Sequence, residues 1–273
     1  MKVLHNKDIN CPHCTSTQIR KNGHISFMSK VQTSAAAKPF LWSEVKVSEE
    51  RTVTAQQMLR VTQSTVSKLI GDGKFVIALG GEHSITAGVV KAYRQAYPDE
   101  PFTVIQIDAH GDLRYEYEGS IYNHACVMRR ILDMGLPSLQ IGIRSICKEE
   151  ADLIKEKQLP VIWASEIATQ PDWMERAIAS IKTPRVFLTI DLDGIDPTLI
   201  PGVGTPEPGG LHWYALTTFL RRVFETHQVI GCDVMELAPV VDSVVSQFTA
   251  AKLVYKLIGY HAQIDQKNQY SMV

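Results

Sequence analysis

Five cysteines in 273 residues are few, and only Cys11 and Cys14 lie close together. An odd, scattered set excludes a disulfide framework and fits a reducing compartment. Long apolar runs are missing as well. None approaches the roughly 20 residues of a membrane span, and the opening MKVLHNKDIN lacks the apolar region of a signal peptide. The expectation is a cytoplasmic protein with no membrane contact. Neither sign of charge dominates. Lys and Arg number 28 against 29 Asp and Glu, a formal net charge of −1, which argues against a generally basic nucleic-acid surface. Around the cysteine pair stand only Lys2, Lys7, Arg20 and Lys21, and no aromatic residue precedes Phe27. The amino end therefore falls short of a nucleic-acid footprint.

What is present is material for a core: hydrophobic content is 45% and charged content 21%, the balance of a globular chain. From about Glu49 onward, short apolar runs alternate with amphipathic stretches. The runs at Phe75–Leu79, Phe102–Ile107, Leu139–Ile143, Val161–Trp163, Val186–Ile190 and Val229–Val234 read as buried strands. Helical spacing marks Thr52–Ile70, Lys148–Lys157, Pro171–Ile181, Leu211–Thr226 and Gln247–Gly259. Apolar strands alternating with helices predict an α/β fold, a mostly parallel central sheet covered on both faces in three α/β/α layers. The first forty residues do not share this pattern, so a boundary is placed near residue 40: an atypical segment over 1–40 and one large domain over 41–273.

Three polar clusters close three of the strand-like runs: Gly80-Gly81-Glu82-His83, Asp108-Ala109-His110-Gly111-Asp112, and Asp191-Leu192-Asp193-Gly194-Ile195-Asp196-Pro197. On an extended strand end, alternate residues face one side, which would align Asp108, His110 and Asp112, and likewise Asp191 and Asp193. An isolated Asp-x-Asp is ordinarily a turn or a helix cap. Three such clusters on one rim are different, because ligands in parallel sheets bind outside the carboxyl ends of the strands. Carboxylates gathered there without a counter-ion would repel one another and lose their hydration. Two histidines and four aspartates suit a pair of divalent cations, so the residues point to a binuclear metallohydrolase.

The clusters, in this order, resemble those of the ureohydrolase family: arginase, agmatinase and their relatives. The likeness covers roughly residues 45 to 263. It extends to Glu116-Tyr117-Glu118-Gly119, to Asn123-His124-Ala125-Cys126-Val127-Met128-Arg129-Arg130, to Gly204-Thr205-Pro206-Glu207-Pro208-Gly209-Gly210-Leu211 and to Asp233-Val234-Met235-Glu236-Leu237-Ala238-Pro239. These stretches are most similar to the agmatinase branch. The resemblance implies an arginase-like fold and assigns His83, Asp108, Asp112 and Asp191 to one metal. It assigns Asp108, His110, Asp191 and Asp193 to the other, with Asp108 and Asp191 bridging. Two Mn2+ are the implied ions, although such a site also accommodates Ni2+, Co2+ or iron.

The same resemblance implies roles for three further groups. Glu236 would hold the guanidinium by paired hydrogen bonds. His124 would deliver a proton to the leaving amine; its plainer reading is a hydrogen-bonded histidine at a helix start. Asp112 would also accept the proton released by the attacking water. Asp196 reads as a turn residue, Glu207 as shaping the site entrance, His212 and Trp213 as packing at a helix start, and Cys126, Cys147 and Cys232 as small core residues. The implied substrate is a small guanidino compound, agmatine first, giving putrescine and urea in polyamine biosynthesis. Aminopropylagmatine, guanidinobutyrate, guanidine and arginine are the alternatives, as is an impaired remnant that binds metal or oligomerises without turnover. The family likeness also implies a homo-oligomer, a trimer or a hexamer.

The front of the chain departs from that family. The family's first strand is missing from its usual place, and Cys11-Pro12-His13-Cys14 with Ile19-Arg20-Lys21-Asn22-Gly23-His24 weakly resembles a transposase zinc-ribbon start. A Cys-x-x-Cys pair is half a zinc site; His5 or His24 would have to help complete it. A segment acquired by fusion is expected to be disordered or loosely packed, and a missing strand would leave its neighbour unpaired. Ile25-Ser26-Phe27-Met28 is the candidate replacement.

Overall fold

Helix α1 (Ala55–Gly71) begins where the sequence supplies a capping box. The Thr54 hydroxyl accepts from the Gln57 N–H at 3.2 Å, and the Gln57 side chain accepts from the Thr54 N–H at 2.9 Å. This computed structural model describes residues 24–30, 41–46 and 54–270, with side chains from 54 to 264. His5, Cys11 and Cys14 lie outside the described residues, as does the side chain of His24.

Eight strands form one sheet: β1 (His24–Lys30), β2 (Leu41–Lys46), β3 (Phe75–Leu79), β4 (Thr103–Ile107), β5 (Ser138–Ile143), β6 (Val161–Trp163), β7 (Arg185–Asp191) and β8 (Gln228–Met235). Their order is β2-β1-β3-β8-β7-β4-β5-β6. The six from β3 onward run parallel, while β1 pairs antiparallel with both β2 and β3. All six strands read from the apolar runs are present. β3 is not left as a bare edge, since Ser26–Lys30 lie in register against Phe75–Leu79. That strand falls on the amino side of the compositional boundary near residue 40.

Period-two alternation divides the strand side chains between two cores. Val76, Ala78, Val104 and Phe187 pack on one face with α1, α2 (Thr86–Ala96), α3 (Val127–Asp133) and α4 (Lys148–Lys157). Ile77, Ile105, Ile107, Leu188 and Ile190 pack on the other with α5 (Ala164–Thr169), α6 (Trp173–Ser180), α7 (Trp213–Thr226) and α8 (Val245–Tyr270). The result is the expected α/β/α layering. α2, α3 and α5 were not legible as helices; each is short and follows a motif whose Gly, Asn or aromatic residues mask the helical period. Among the described residues, no helix is long and apolar enough to cross a membrane.

Helices α1 and α2 cross closely because Gly88 carries no side chain. A Cβ there would stand 2.7 Å from the Leu59 carbonyl oxygen. Overpacking of this kind costs about 1–3 kcal/mol, and the helix-propensity gain of about 1 kcal/mol for Gly to Ala offsets only part of it. Gly88→Ala should therefore lower the urea unfolding midpoint and Gly88→Val lower it further; midpoints at or above that of the parent chain would refute the close-approach account.

Candidate metal centre

The adjacent parallel strands β3, β8, β7 and β4 end on one rim, and each is followed by acidic or imidazole residues. The backbone routes differ from simple strand alternation. His83 opens a 3₁₀ turn, His83–Ile85, after the Gly80-Gly81 pair. Asp191 is the last residue of β7, and Asp193 lies in the 3₁₀ turn Leu192–Gly194. Past β4 the chain leaves the extended state, and Asp112 sits at φ 53° in the left-handed region, which Asp tolerates better than most residues. Asp108, His110 and Asp112 do come together as expected, but through turns rather than through strand alternation. Gly194 permits the convergence: a Cβ there would stand 2.7 Å from the Asp108 backbone nitrogen.

Three carboxylate oxygens gather about one ring nitrogen. His83 Nδ1 lies 3.3 Å from Asp108, 3.1 Å from Asp112 and 3.2 Å from Asp191. This nitrogen is buried and makes no hydrogen bond of good geometry among the described residues. A single proton could serve one of the three oxygens, whereas a cation between them would serve all. Alongside, His110 Nδ1 lies 3.0 Å from Asp193 and 3.6 Å from Asp108. The donor atoms of His83, Asp108 and Asp191 lie within 4.8 Å of one another, as do those of Asp108, His110 and Asp193. Asp108 belongs to both groups. The residues present therefore fit two hard divalent cations sharing a carboxylate.

Burial and mutual repulsion dominate the electrostatics. Burial and the Asp108 charge push Asp112 up to about 7. Burial, then Asp193 and Asp108, raise Asp191, and burial with Asp108 raises Asp193. Burial would raise Asp108 too, but the His110 and His83 imidazoles beside it hold it below its ordinary range. The imidazoles answer in the other direction. Burial would lower His110, yet Asp108 and Asp193 raise it to about 11.

Supporting groups lock these side chains. The Gln106 amide donates to Asp108 at 2.7 Å, and Gln140 donates to Gln106 at 2.5 Å and to the Gly111 carbonyl at 2.7 Å. The Ala109 N–H and the Thr205 hydroxyl donate to Asp193 at 3.1 and 3.0 Å. Arg144 donates to main-chain carbonyls, those of Asp193, Glu207, Pro208, Gly142 and, at 3.5 Å, Gly194, and so ties the 204–210 loop to the turn after β7. Glu150, buried in α4, accepts from the Leu113 and Cys147 N–H groups at 2.9 and 2.8 Å.

A second acidic pair adjoins the centre. Glu236, at φ 66°, accepts from the His83 N–H at 2.6 Å, and its own N–H donates to Gly81 at 2.7 Å. Burial, then the Glu82 charge, push Glu236 up to about 8. Glu82 accepts from the His124 N–H at 2.8 Å and lies 3.2 Å from His124 Nδ1. Burial would lower the His124 imidazole, but Glu82 raises it above its ordinary value. The His124 side chain is 30% exposed, and the Tyr117 ring meets it edge-on.

The chain matches the pattern of the arginase family over residues 7–259. It belongs to that family. Over 202 residues it is 62% identical to a Synechocystis sp. protein named N(1)-aminopropylagmatine ureohydrolase, covering 74% of this chain and 66% of that protein, just under two thirds. A Thermus thermophilus protein of the same name is 35% identical over 82% of this chain and 72% of its own length. The solved agmatine ureohydrolase of Thermoplasma volcanium superposes with a TM-score of 0.70 at 35% identity, covering 82% of this chain and 73% of that one. Arginase-family members use a binuclear divalent cluster, and this member carries two candidate ligand groups that share Asp108.

The remaining expectations find their places. Asp196 accepts from Thr198 in a turn. Glu207 stands 3.9 Å from His110 Nε2 at the rim. His212 precedes α7 without capping it through its side chain. Cys126 and Cys232 are buried, whereas Cys147 is half-buried at the start of α4. Gln106, Gln140, Thr189, Asp233, Arg144 and Glu82 were given no role from sequence. Four of them are polar residues inside otherwise apolar strand runs, a signal that a buried partner is required.

Because Asp108 and Asp193 keep the His110 imidazole protonated at neutral pH, divalent cations must displace its proton. Binding should therefore release protons and tighten as pH rises from 6 to 8. Calorimetric titration with Mn2+ in two buffers of different ionisation enthalpy checks this; identical heats in both would contradict it.

Proposed function

We propose that this chain is a guanidino hydrolase whose preferred substrate is N1-aminopropylagmatine, which it cleaves to urea and spermidine. The hydrolase reading is carried by the three carboxylate oxygens converging on His83 Nδ1, with Asp108 shared by His110 and Asp193. The aminopropylated substrate is supported by the 62% identity to a relative of that name. Agmatine is the second reading, supported by the likeness to the Thermoplasma enzyme.

In this proposal His83, Asp108, Asp112 and Asp191 hold one Mn2+, and Asp108, His110, Asp191 and Asp193 hold the other. When bound, two such ions make a water acidic enough to act as nucleophile near neutral pH. Asp112 accepts the proton which that water gives up. Glu236 receives the guanidinium N–H groups, and the cation beside it and Glu82 favours their ionised forms. The guanidinium carbon gains the oxygen, and its bond to the alkylated nitrogen breaks. His124 supplies the proton that this nitrogen takes up on leaving. Glu82 holds the ring through Nδ1, and partial exposure lets the imidazole be reprotonated from solvent.

Urea release by the Mn2+-loaded chain should be at least about tenfold faster, as kcat/KM, on N1-aminopropylagmatine than on agmatine, a difference of roughly 1.4 kcal/mol. Arginine, guanidinobutyrate and guanidine should be poorer still, and Asp191→Ala should be silent. A preference for agmatine would select the second reading; soluble, metal-loaded protein inactive on all of them would sink both. His124→Asn should lower kcat by about 100- to 10,000-fold; an unchanged kcat would remove the proton-delivery role.

A homo-oligomer, trimer or hexamer, is part of the proposal. Val241 and Val244, in the turn before α8, and Phe248, in its first turn, are exposed apolar side chains, of the kind enriched at interfaces. Light scattering coupled to size exclusion tests it, and a monomeric mass would count against it.

A further inference from the structure

Two amides on neighbouring strands reach the metal centre from behind. Gln106 on β4 and Gln140 on β5 are fully buried and stand opposite each other in the parallel register. Gln140 Nε2 lies 2.7 Å from the Gly111 carbonyl and 2.5 Å from Gln106 Oε1. Gln106 Nε2 lies 2.7 Å from Asp108 Oδ2, and 3.4 Å from both Asp112 Oδ2 and the His110 carbonyl.

These partners leave one way round for each amide. A main-chain carbonyl can only accept, whereas a side-chain amide has an accepting end and a donating end. The Gly111 carbonyl therefore requires the NH2 of Gln140, and that NH2 requires the oxygen of Gln106. The NH2 of Gln106 is thereby turned to the carboxylates. Turning both amides over would set oxygen against oxygen at Gly111. The arrangement leaves the Gln140 oxygen without a partner among the described residues. An unpaired buried oxygen is destabilising, so folding alone does not explain why this pair is amide rather than apolar.

The consequence falls on Asp108, the residue common to both metal groups. Its Oδ1 accepts from the His110 N–H at 2.6 Å, and its Oδ2 accepts from Gln106. A carboxylate oxygen has two lone pairs, so each keeps one. Oδ2 is 3.3 Å from His83 Nδ1, and Oδ1 is 3.6 Å from His110 Nδ1. The carboxylate is thus pinned with one oxygen on each side. Both carboxylate oxygens that Gln106 reaches, Asp108 Oδ2 and Asp112 Oδ2, lie on the His83 side.

We infer that Gln106, oriented by Gln140, is a positioning residue for the metal held on the His83 side, fixing Asp108 so that one oxygen faces each ion. The inference rests on the metal-centre reading above. Without the Gln106 donor, Oδ1 stays fixed by the His110 N–H while Oδ2 is free to swing. The His83 side then weakens and the His110 side does not.

The test is Mn2+ titration of the metal-stripped chain, read by electron paramagnetic resonance of the free ion, with thermal melts of the stripped proteins. Gln106→Met, which keeps the length but not the donor, should lower the affinity of one site by about 10- to 100-fold and leave the other unchanged. The same loss should appear in a His110→Ala background, where the His83 group alone is complete, and be absent in a His83→Ala background. Adding Gln140→Met removes both amides at once. Metal-free, that double variant should melt at or above Gln106→Met, yet its Mn2+ affinity should stay low. Affinity that recovers with stability would mark a packing role and overturn the inference. Unchanged affinity in Gln106→Met, or an equal loss at both sites, would do the same. So would failure of both variants to fold, which would make the pair a requirement of the fold. A parent chain that does not bind Mn2+ would instead overturn the metal centre itself, and the inference with it.

Discussion

Asp108, Asp112, Asp191 and Asp193 are buried within reach of two imidazoles, and like charges so placed cannot all persist unaided. At an effective dielectric constant of 20, two unit charges 4 Å apart interact by about 4 kcal/mol. That repulsion sets the terms for everything around it. Without cations, protons shared with His83 and His110 relieve part of it, so the imidazoles are driven upward and most of the carboxyls with them. With cations, the same groups become a ligand set.

Holding such a cluster together requires a frame that does not yield. The parallel sheet supplies it, because β3, β8, β7 and β4 are neighbours and end on the same rim. The turns beyond the strands are then pinned from several directions. Gln140 and Gln106 form a chain of amides reaching Asp108 from β5. Arg144 fastens the loop carrying Glu207 to the carbonyl of Asp193. Glu150 reaches from α4 to the main chain just beyond Asp112. None of these touches a reacting atom, yet a metal site tolerates little looseness, and its supporting hydrogen bonds matter nearly as much as its ligands.

The left-handed backbone at Asp112 and Glu236 belongs to the same picture. Non-glycine residues in that region carry some strain and persist where their surroundings over-determine them. For Glu236 the determinants are explicit: its N–H is bound to Gly81 and its carboxylate to the His83 N–H. The carboxylate proposed for the substrate and the imidazole proposed for the metal are thereby joined by a pair of hydrogen bonds between two segments. Glu82, the residue before His83, accepts from the His124 N–H, so segments around residues 82, 124 and 236 are tied together at one place.

Much of this was readable from the chain alone. Apolar runs of strand length, alternating with helical periods, required a covered parallel sheet, and the clusters after Leu79, Ile107 and Ile190 had to emerge on its rim. Residue chemistry then pointed to two cations. What composition could not convey was how the aspartates meet, because convergence depends on turn geometry: a 3₁₀ turn for His83, another for Asp193, a left-handed residue at 112 and the missing Cβ of Gly194. Nor could it show what lies behind the ligands. Gln106, Gln140, Thr189 and Asp233 read as single polar residues in apolar strands, and their partners come from other strands or from turns. A sequence specifies which groups must be buried, whereas register between strands settles which of them meet. The strand His24–Lys30 makes the same point at the other edge, since only its pairing with β3 shows that the sheet does not end there.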